Sequence, residues 1–75
     1  MNKDFEIVRL YKELRVAIKN GKYGIVSKEG EVLIDFEYIS IIPSMSSDLF
    51  VLIDDNGRAS IVKYDDLVAS DELSI

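Results

Sequence analysis

The sequence contains no cysteine and no histidine. Without cysteine there is no disulfide and no thiol nucleophile. Without histidine there is no imidazole base, and zinc sites built from Cys and His are excluded with it. A small fold without disulfide or metal staples must rely on its own core or enlarge it by self-association. No stretch approaches the roughly 20 apolar residues of a membrane helix. The segment Met1-Asn2-Lys3-Asp4 lacks a signal peptide's apolar core. The expectation is a soluble, intracellular, cytoplasmic protein; the lack of cysteine is compatible with a reducing compartment.

What is present is an ordinary globular balance. Of 75 residues, 48% are apolar and 31% charged, enough for one folded domain over 1–75 and too few residues for a second. A chain this short buries only roughly 60% of its unfolded surface, so the core must be thin. Charge is divided along the chain. Residues 1–28 carry seven bases against three acids, net +4, and residues 29–75 carry eleven acids against two bases, net −9. Direct nucleic-acid binding is disfavoured, because phosphate recognition needs a dominant basic surface. Two readings of the acid remain. The halves fold together and partly neutralise each other, or an acidic face docks on another protein with a basic surface.

Alternation is the main structural signal. Leu14, Val16 and Ile18 share one side of a strand and Arg15, Ala17 and Lys19 the other. Asn20-Gly21 then predicts a hairpin, because a type I′ turn needs positive φ at both central residues. Lys22–Ser27 returns, Glu29-Gly30 turns again, and Glu31–Phe36 reads as a third strand. A second block follows: Leu49–Ile53 as strand, Asp54-Asp55-Asn56-Gly57 as turn, Arg58–Lys63 as strand. Between the blocks, Ile42–Ser47 reads as a loop, since Pro43 removes a ladder donor and serines favour turns. Phe5, Val8 and Tyr11 fit helical spacing, yet Phe5–Val8 could equally begin a strand; residues 3–12 stay open between the two. The expected fold is mainly β: a small antiparallel meander of about five strands from two related hairpins, with or without a short N-terminal helix.

The chain echoes itself. Phe5-Glu6-Ile7-Val8 matches Phe36-Glu37-Tyr38-Ile39, Asn20-Gly21 matches Asn56-Gly57, and Ile25-Val26 matches Ile61-Val62. The implied units are about 5–35 and 36–67, followed by an acidic solvated tail at 68–75. The run Gly21-Lys22-Tyr23-Gly24-Ile25-Val26 with Gly30, Val32-Leu33-Ile34 and Phe36-Glu37-Tyr38-Ile39 resembles the bacterial WG repeat. The resemblance is good over 14–41 and loose over 1–67. Tyr23 stands where that family has tryptophan, Ala59-Ser60 replaces the aromatic-glycine pair of the second copy, and a third strand is missing between Val62 and Tyr64. The resemblance implies a binding or scaffold module and carries no active site.

Catalytic patterns fail in turn. Aligning Gly57 with the sixth position of an EF-hand loop puts Leu52 first and Lys63 last, so no calcium loop forms. No serine occupies a nucleophile elbow and no glycine-rich phosphate loop is present. No enzyme, metal or cofactor is expected. The expected activity is non-catalytic protein binding, through Glu31, Asp35, Asp54, Asp55, Asp65 and Asp66, with Phe50 as an exposed apolar anchor. Glu31 and Asp35 are expected on one strand face. By analogy, such compact acidic chains serve as inhibitors or decoys of basic, nucleic-acid-handling enzymes, as phage and mobile-element anti-defence proteins do. Two other classes are a β-repeat module that self-associates through its edges, homodimer included, and a small-ligand binder using Tyr23 and neighbouring aromatics.

Overall fold

The computed structural model describes residues 5–73. Six strands, β1 (Glu6–Tyr11), β2 (Leu14–Lys19), β3 (Lys22–Ser27), β4 (Val32–Ser44), β5 (Leu49–Asp54) and β6 (Ala59–Lys63), are followed by one helix, α1 (Tyr64–Leu73). They form a single sheet in chain order, each neighbour antiparallel to the next. The mainly-β expectation holds, with one strand more than expected.

The N-terminal ambiguity resolves to a strand. Residues 6–11 pair with β2, and the register slips between Ile7 and Arg9, so Val8 sits in a bulge. A bulge adds one residue and breaks the two-residue period. That is why Val8 and Tyr11, three apart, imitate helical spacing. The other end differs from expectation too. Where a solvated tail was expected, α1 runs to Leu73. Tyr64 and Leu67 are buried in the core, and Val68 packs beside them. Asp65 and Asp66 occupy the first turn, where carboxylates favour the helix dipole. The final two residues of that expected tail lie outside the described residues.

Turn chemistry fixes the meander. Asn20 and Gly21 have φ of 54° and 83°, and Lys19 pairs with Lys22 across them, a two-residue turn as expected. Gly57 plays a different part from Gly21 despite the shared Asn-Gly. It closes a five-residue turn in which Gly57 N–H donates to Asp54 O and Asp54 N–H to Arg58 O. Gly30 is its geometric equal: Gly30 N–H donates to Ser27 O and Ser27 N–H to Glu31 O. In both turns the first side chain accepts two backbone N–H groups, Ser27 Oγ from Glu29 and Glu31, and Asp54 Oδ1 from Asn56 and Arg58. These are asparagine-like turns built on a short polar acceptor.

β4 is the long element, and it serves two neighbours. Its first part pairs with β3 and its second with β5. It runs on to Ser44, so the expected loop at Ile42–Ser47 shrinks to Met45–Asp48. Pro43 is tolerated inside it because β3 no longer flanks the strand there, leaving a side with no ladder to satisfy. Where the two parts meet, Tyr23 opposes Tyr38 and Ile25 opposes Ile34, so Gly24 alone faces Asp35, Phe36 and Glu37. A Cβ on Gly24 would lie 2.6 Å from Ile34 O and 2.9 Å from Phe36 Cδ1. Only a residue without a side chain lets the β4 backbone and the Phe36 ring approach this closely.

The core lies on one side of the sheet. Leu14 and Val16 of β2, Ile25 of β3, Ile41 of β4, and Phe50 and Leu52 of β5 meet Tyr11, Tyr64 and Leu67. On the opposite side, Phe36 covers Gly24 and stacks on Phe5, with ring centroids 5.5 Å apart. Closure of the main core depends on Asp48, in a left-handed conformation at φ 56°. Its Oδ1 accepts from Tyr11 Oη at 2.7 Å and from Lys12 Nζ at 2.9 Å. Its carbonyl accepts the Tyr64 N–H at 3.0 Å. One residue thus joins the β1–β2 turn, the β4–β5 turn and the start of α1.

Candidate interaction surface

The seven residues expected to bind a partner divide into internal and external groups. Phe50 does lie opposite Leu49 and Val51, but its side is the core: it is 0% exposed and packs 5.0 Å from the Tyr11 ring. Alternation states which residues share a side and leaves open which side is covered. Asp54 is held by its own turn through the two N–H groups described above. Asp55 is exposed but paired, 2.8 Å from Lys22 Nζ. Phe50 therefore drops out as an exposed anchor, while Asp54 and Asp55 are already engaged within the molecule.

Glu31, Asp35, Asp65 and Asp66 remain exposed. Glu31 and Asp35 do not sit on a regular strand face. Glu31 closes the second turn ahead of β4, and Asp35 lies in the irregular stretch opposite Gly24. Asp65 and Asp66 stand side by side on α1. Glu29 and Glu37 are exposed as well, the first in a turn and the second on β4.

The ion pairs show how the two halves of the chain combine. Lys12–Asp48 and Lys22–Asp55 each join a base from residues 1–28 to an acid from residues 29–75, and Lys28–Glu13 lies within the first part. Partial neutralisation across the halves is thereby realised. The Lys12 ammonium, then the Tyr11 hydroxyl, hold the Asp48 carboxyl below its usual range. Hydrogen bonding to Asp48 raises both Tyr11 and Lys12, with burial adding to the tyrosine shift. Lys28 lowers Glu13, and Glu13 raises Lys28. Among the described residues, the carboxylates of Asp35, Glu37, Asp65 and Asp66 take part in no such pair.

Sequence reasoning missed an apolar row. Ile42 pairs with Val51 and Val51 with Ile61, so the three side chains form one line across β4, β5 and β6 on the side away from Phe50. Ile42 is 51% and Ile61 64% exposed. Leu49, Ile53 and Ala59 flank the line, and Lys63 is the charged residue among the paired positions of that side. The signal was present: Leu49–Ile53 is apolar at every position, which a strand buried on one side does not require.

Among the described residues no cluster of acidic side chains could hold a metal ion, and no helix is long and apolar enough to cross a membrane. Comparison of the chain with protein-family models, with curated proteins and with solved structures finds no match.

Proposed function

We propose that this chain is a small, non-catalytic protein-binding module whose acidic side chains steer it onto a basic partner and whose apolar row supplies the contact. The observation that carries this reading is the Ile42–Val51–Ile61 line, exposed at Ile42 and Ile61, in the same part of the chain as the carboxylates of Asp35, Glu37, Asp65 and Asp66. Surface charge raises encounter rates and confers salt dependence, whereas desolvated apolar anchors supply most of the affinity. A basic, nucleic-acid-handling enzyme offers the complementary charge, and the chain then acts as an inhibitor or decoy. The resemblance to the WG repeat belongs to the same proposal. Strands β1–β3 and the β4–β5–β6 set form successive three-stranded meanders, and the matching Phe5 and Phe36 stack on each other.

The test is kinetic, with the partner in hand. Association should slow with added salt, and again in Asp35→Lys/Glu37→Lys and in Asp65→Lys/Asp66→Lys. Ile61→Lys should shorten the lifetime of the complex. Association indifferent to salt and to both charge reversals would overturn the steering role.

One observation favours a second reading. Glu6–Leu10 of β1 and Ala59–Ile61 of β6 are exposed at the two edges of an open sheet, and open edges template pairing with another chain. Sedimentation across a concentration series measures this self-assembly; a monomer throughout excludes it.

A further inference from the structure

The core side of the sheet does not close completely. Beside Val16 and Ile41 it opens into a cavity of about 220 Å³, lined by Val8, Arg9, Val16, Tyr23, Ser40 and Ile41. Its chemistry is uneven. Val8, Val16 and Ile41 line it together with Arg9 and Tyr23, which bring a guanidinium and a phenol; Ser40 pairs with Ile53, so its side chain takes the outer side and it borders the cavity through its backbone. The Val8 bulge places Arg9 there. After the slip, Arg9 pairs with Val16 and takes the same side of the sheet as Tyr11.

The charge of Arg9 is conspicuous because its neighbours in sequence are satisfied. Lys12, Lys22 and Lys28 each hold a carboxylate, and Arg15 donates to the Lys12 and Leu14 carbonyls. Arg9 makes no hydrogen bond or ion pair among the described residues, in a chain with fourteen acids to nine bases. An unpaired planar fork in a recess that also holds aliphatic residues suits a carboxylate, which it binds through two parallel hydrogen bonds. No carboxylate lines the cavity, so a ligand bearing an ammonium group beside its carboxylate would find no counter-charge.

Size narrows the class further. At roughly 30 Å³ per water, the space holds about seven waters, and a five-carbon branched acid has about as many non-hydrogen atoms. Cofactors and nucleotides need more room, since pockets for drug-sized ligands start at roughly 300 Å³.

We propose that this cavity is a binding site for a small carboxylate with a short branched aliphatic tail, held by Arg9 with Tyr23 and packed on Val8, Val16 and Ile41. The chemistry is met equally by a free branched-chain acid and by the C-terminal aliphatic residue of a polypeptide. The site stands apart from the acidic docking surface and does not depend on it.

The experiment titrates the full chain, observed through backbone amide resonances, with isovalerate, isovaleramide, inorganic phosphate, and a short peptide ending in valine as free acid or as amide. Isovalerate should give saturable shifts centred on Arg9, Val16, Ser40 and Ile41. Isovaleramide should give none, and phosphate, lacking a tail, should bind at least tenfold more weakly. Arg9→Gln should weaken isovalerate at least tenfold, while Arg58→Gln, at a distant turn, leaves it unchanged. Arg9→Lys keeps the charge without the fork and should fall between. A free-acid peptide that binds more tightly than isovalerate identifies a polypeptide terminus as the source; equal or weaker binding identifies the free acid. Thermal melts of each variant separate lost binding from lost fold. Shifts that never saturate, or that are the same in wild type and Arg9→Gln, would overturn the proposal and leave Arg9 as an exposed charge that guards the β1 edge against pairing.

Discussion

Replacing Gly24 by alanine should be the most damaging single-methyl change in the molecule. The added Cβ would sit 2.6 Å from Ile34 O, where ordinary contact begins near 3.4 Å. The backbone of β4 must therefore retreat by about 0.8 Å, the difference of those two distances. Ladder hydrogen bonds of about 2.9 Å do not survive such a displacement intact. A weakened buried bond costs about 1–3 kcal/mol, and forced overpacking costs a similar amount. Against this, alanine restricts the unfolded chain and returns about 0.4–1 kcal/mol. The midpoints of these ranges leave a net loss of about 3 kcal/mol, out of roughly 4–11 kcal/mol for a domain of this length. At about 4–8 °C per kcal/mol, Tm should fall by about 12–24 °C.

Gly21→Ala is the control. Nothing lies within 4 Å of its Cβ, and its cost comes from φ of +83° alone, about 1–2 kcal/mol before the same return. Differential scanning calorimetry on both variants orders the effects. Phe36→Leu added to Gly24→Ala tells the obstacles apart: recovery blames the ring, no recovery blames the Ile34 carbonyl. Gly24→Ala melting at or above Gly21→Ala would refute the whole account of the β3–β4 irregularity.

Phe50→Ala, at a fully buried site, should cost about 3–5 kcal/mol and lower Tm by about 12–40 °C in a circular-dichroism melt; near-native melting would restore it as a surface residue. Stability should fall at both ends of the pH range. Asp48 and Glu13 titrate below their ordinary 3.8 and 4.5, so their contribution is complete above those values and is lost as pH drops beneath them. Lys12 and Lys28 are raised from 10.5 and Tyr11 from 10.0, so theirs is complete below those values and is lost as pH rises past them. Asp48→Asn keeps the shape and the left-handed preference of the site; it should flatten the acid side of a pH–Tm profile, and an unchanged profile would remove Asp48 as the titrating clasp. Ile61→Lys interrupts the outer apolar row without touching the core, so Tm should move by no more than a few degrees while any self-association measured by sedimentation declines.

Hairpins were legible because their determinants are local. Asn20-Gly21, Gly30 and Gly57 each carry the conformational freedom their turn demands within four or five residues. The bulges at Val8 and opposite Gly24 were not, since each depends on what the neighbouring strand requires. Their effect on reading was large. One bulge made β1 resemble a helix, and the other removed Glu31 and Asp35 from a common strand face. The C-terminal helix was half visible: Tyr64, Leu67 and Val68 have the spacing of one helical side, with acids in the first turn. Its brevity and the acids hid it, and packing on Phe50 and Tyr11 supplies the stability that ten residues lack alone.

The candidate surface was harder to read than the fold because charge is shared over distances that sequence does not display. Asp48, Asp54 and Asp55 look equivalent in a chain region of net −9, yet one clasps the core, one caps a turn and one answers Lys22. Each removes an acid from the surface or a base from competition, and the two cross-half pairs consume bases of the first 28 residues. The charge pattern that results differs from the one a linear count describes. Among the described residues Asp35, Glu37, Asp65 and Asp66 form no ion pair, and on the core side the Arg9 guanidinium borders an open recess. A net acidic protein that leaves a cation there should discriminate by side: basic surfaces are drawn to its exterior, and a carboxylate is accepted only within the recess beside Arg9. Mixed titrations decide whether these are separate. Isovalerate should leave the salt dependence of partner association unchanged, and a shared response would mean that the recess and the acidic exterior form one site.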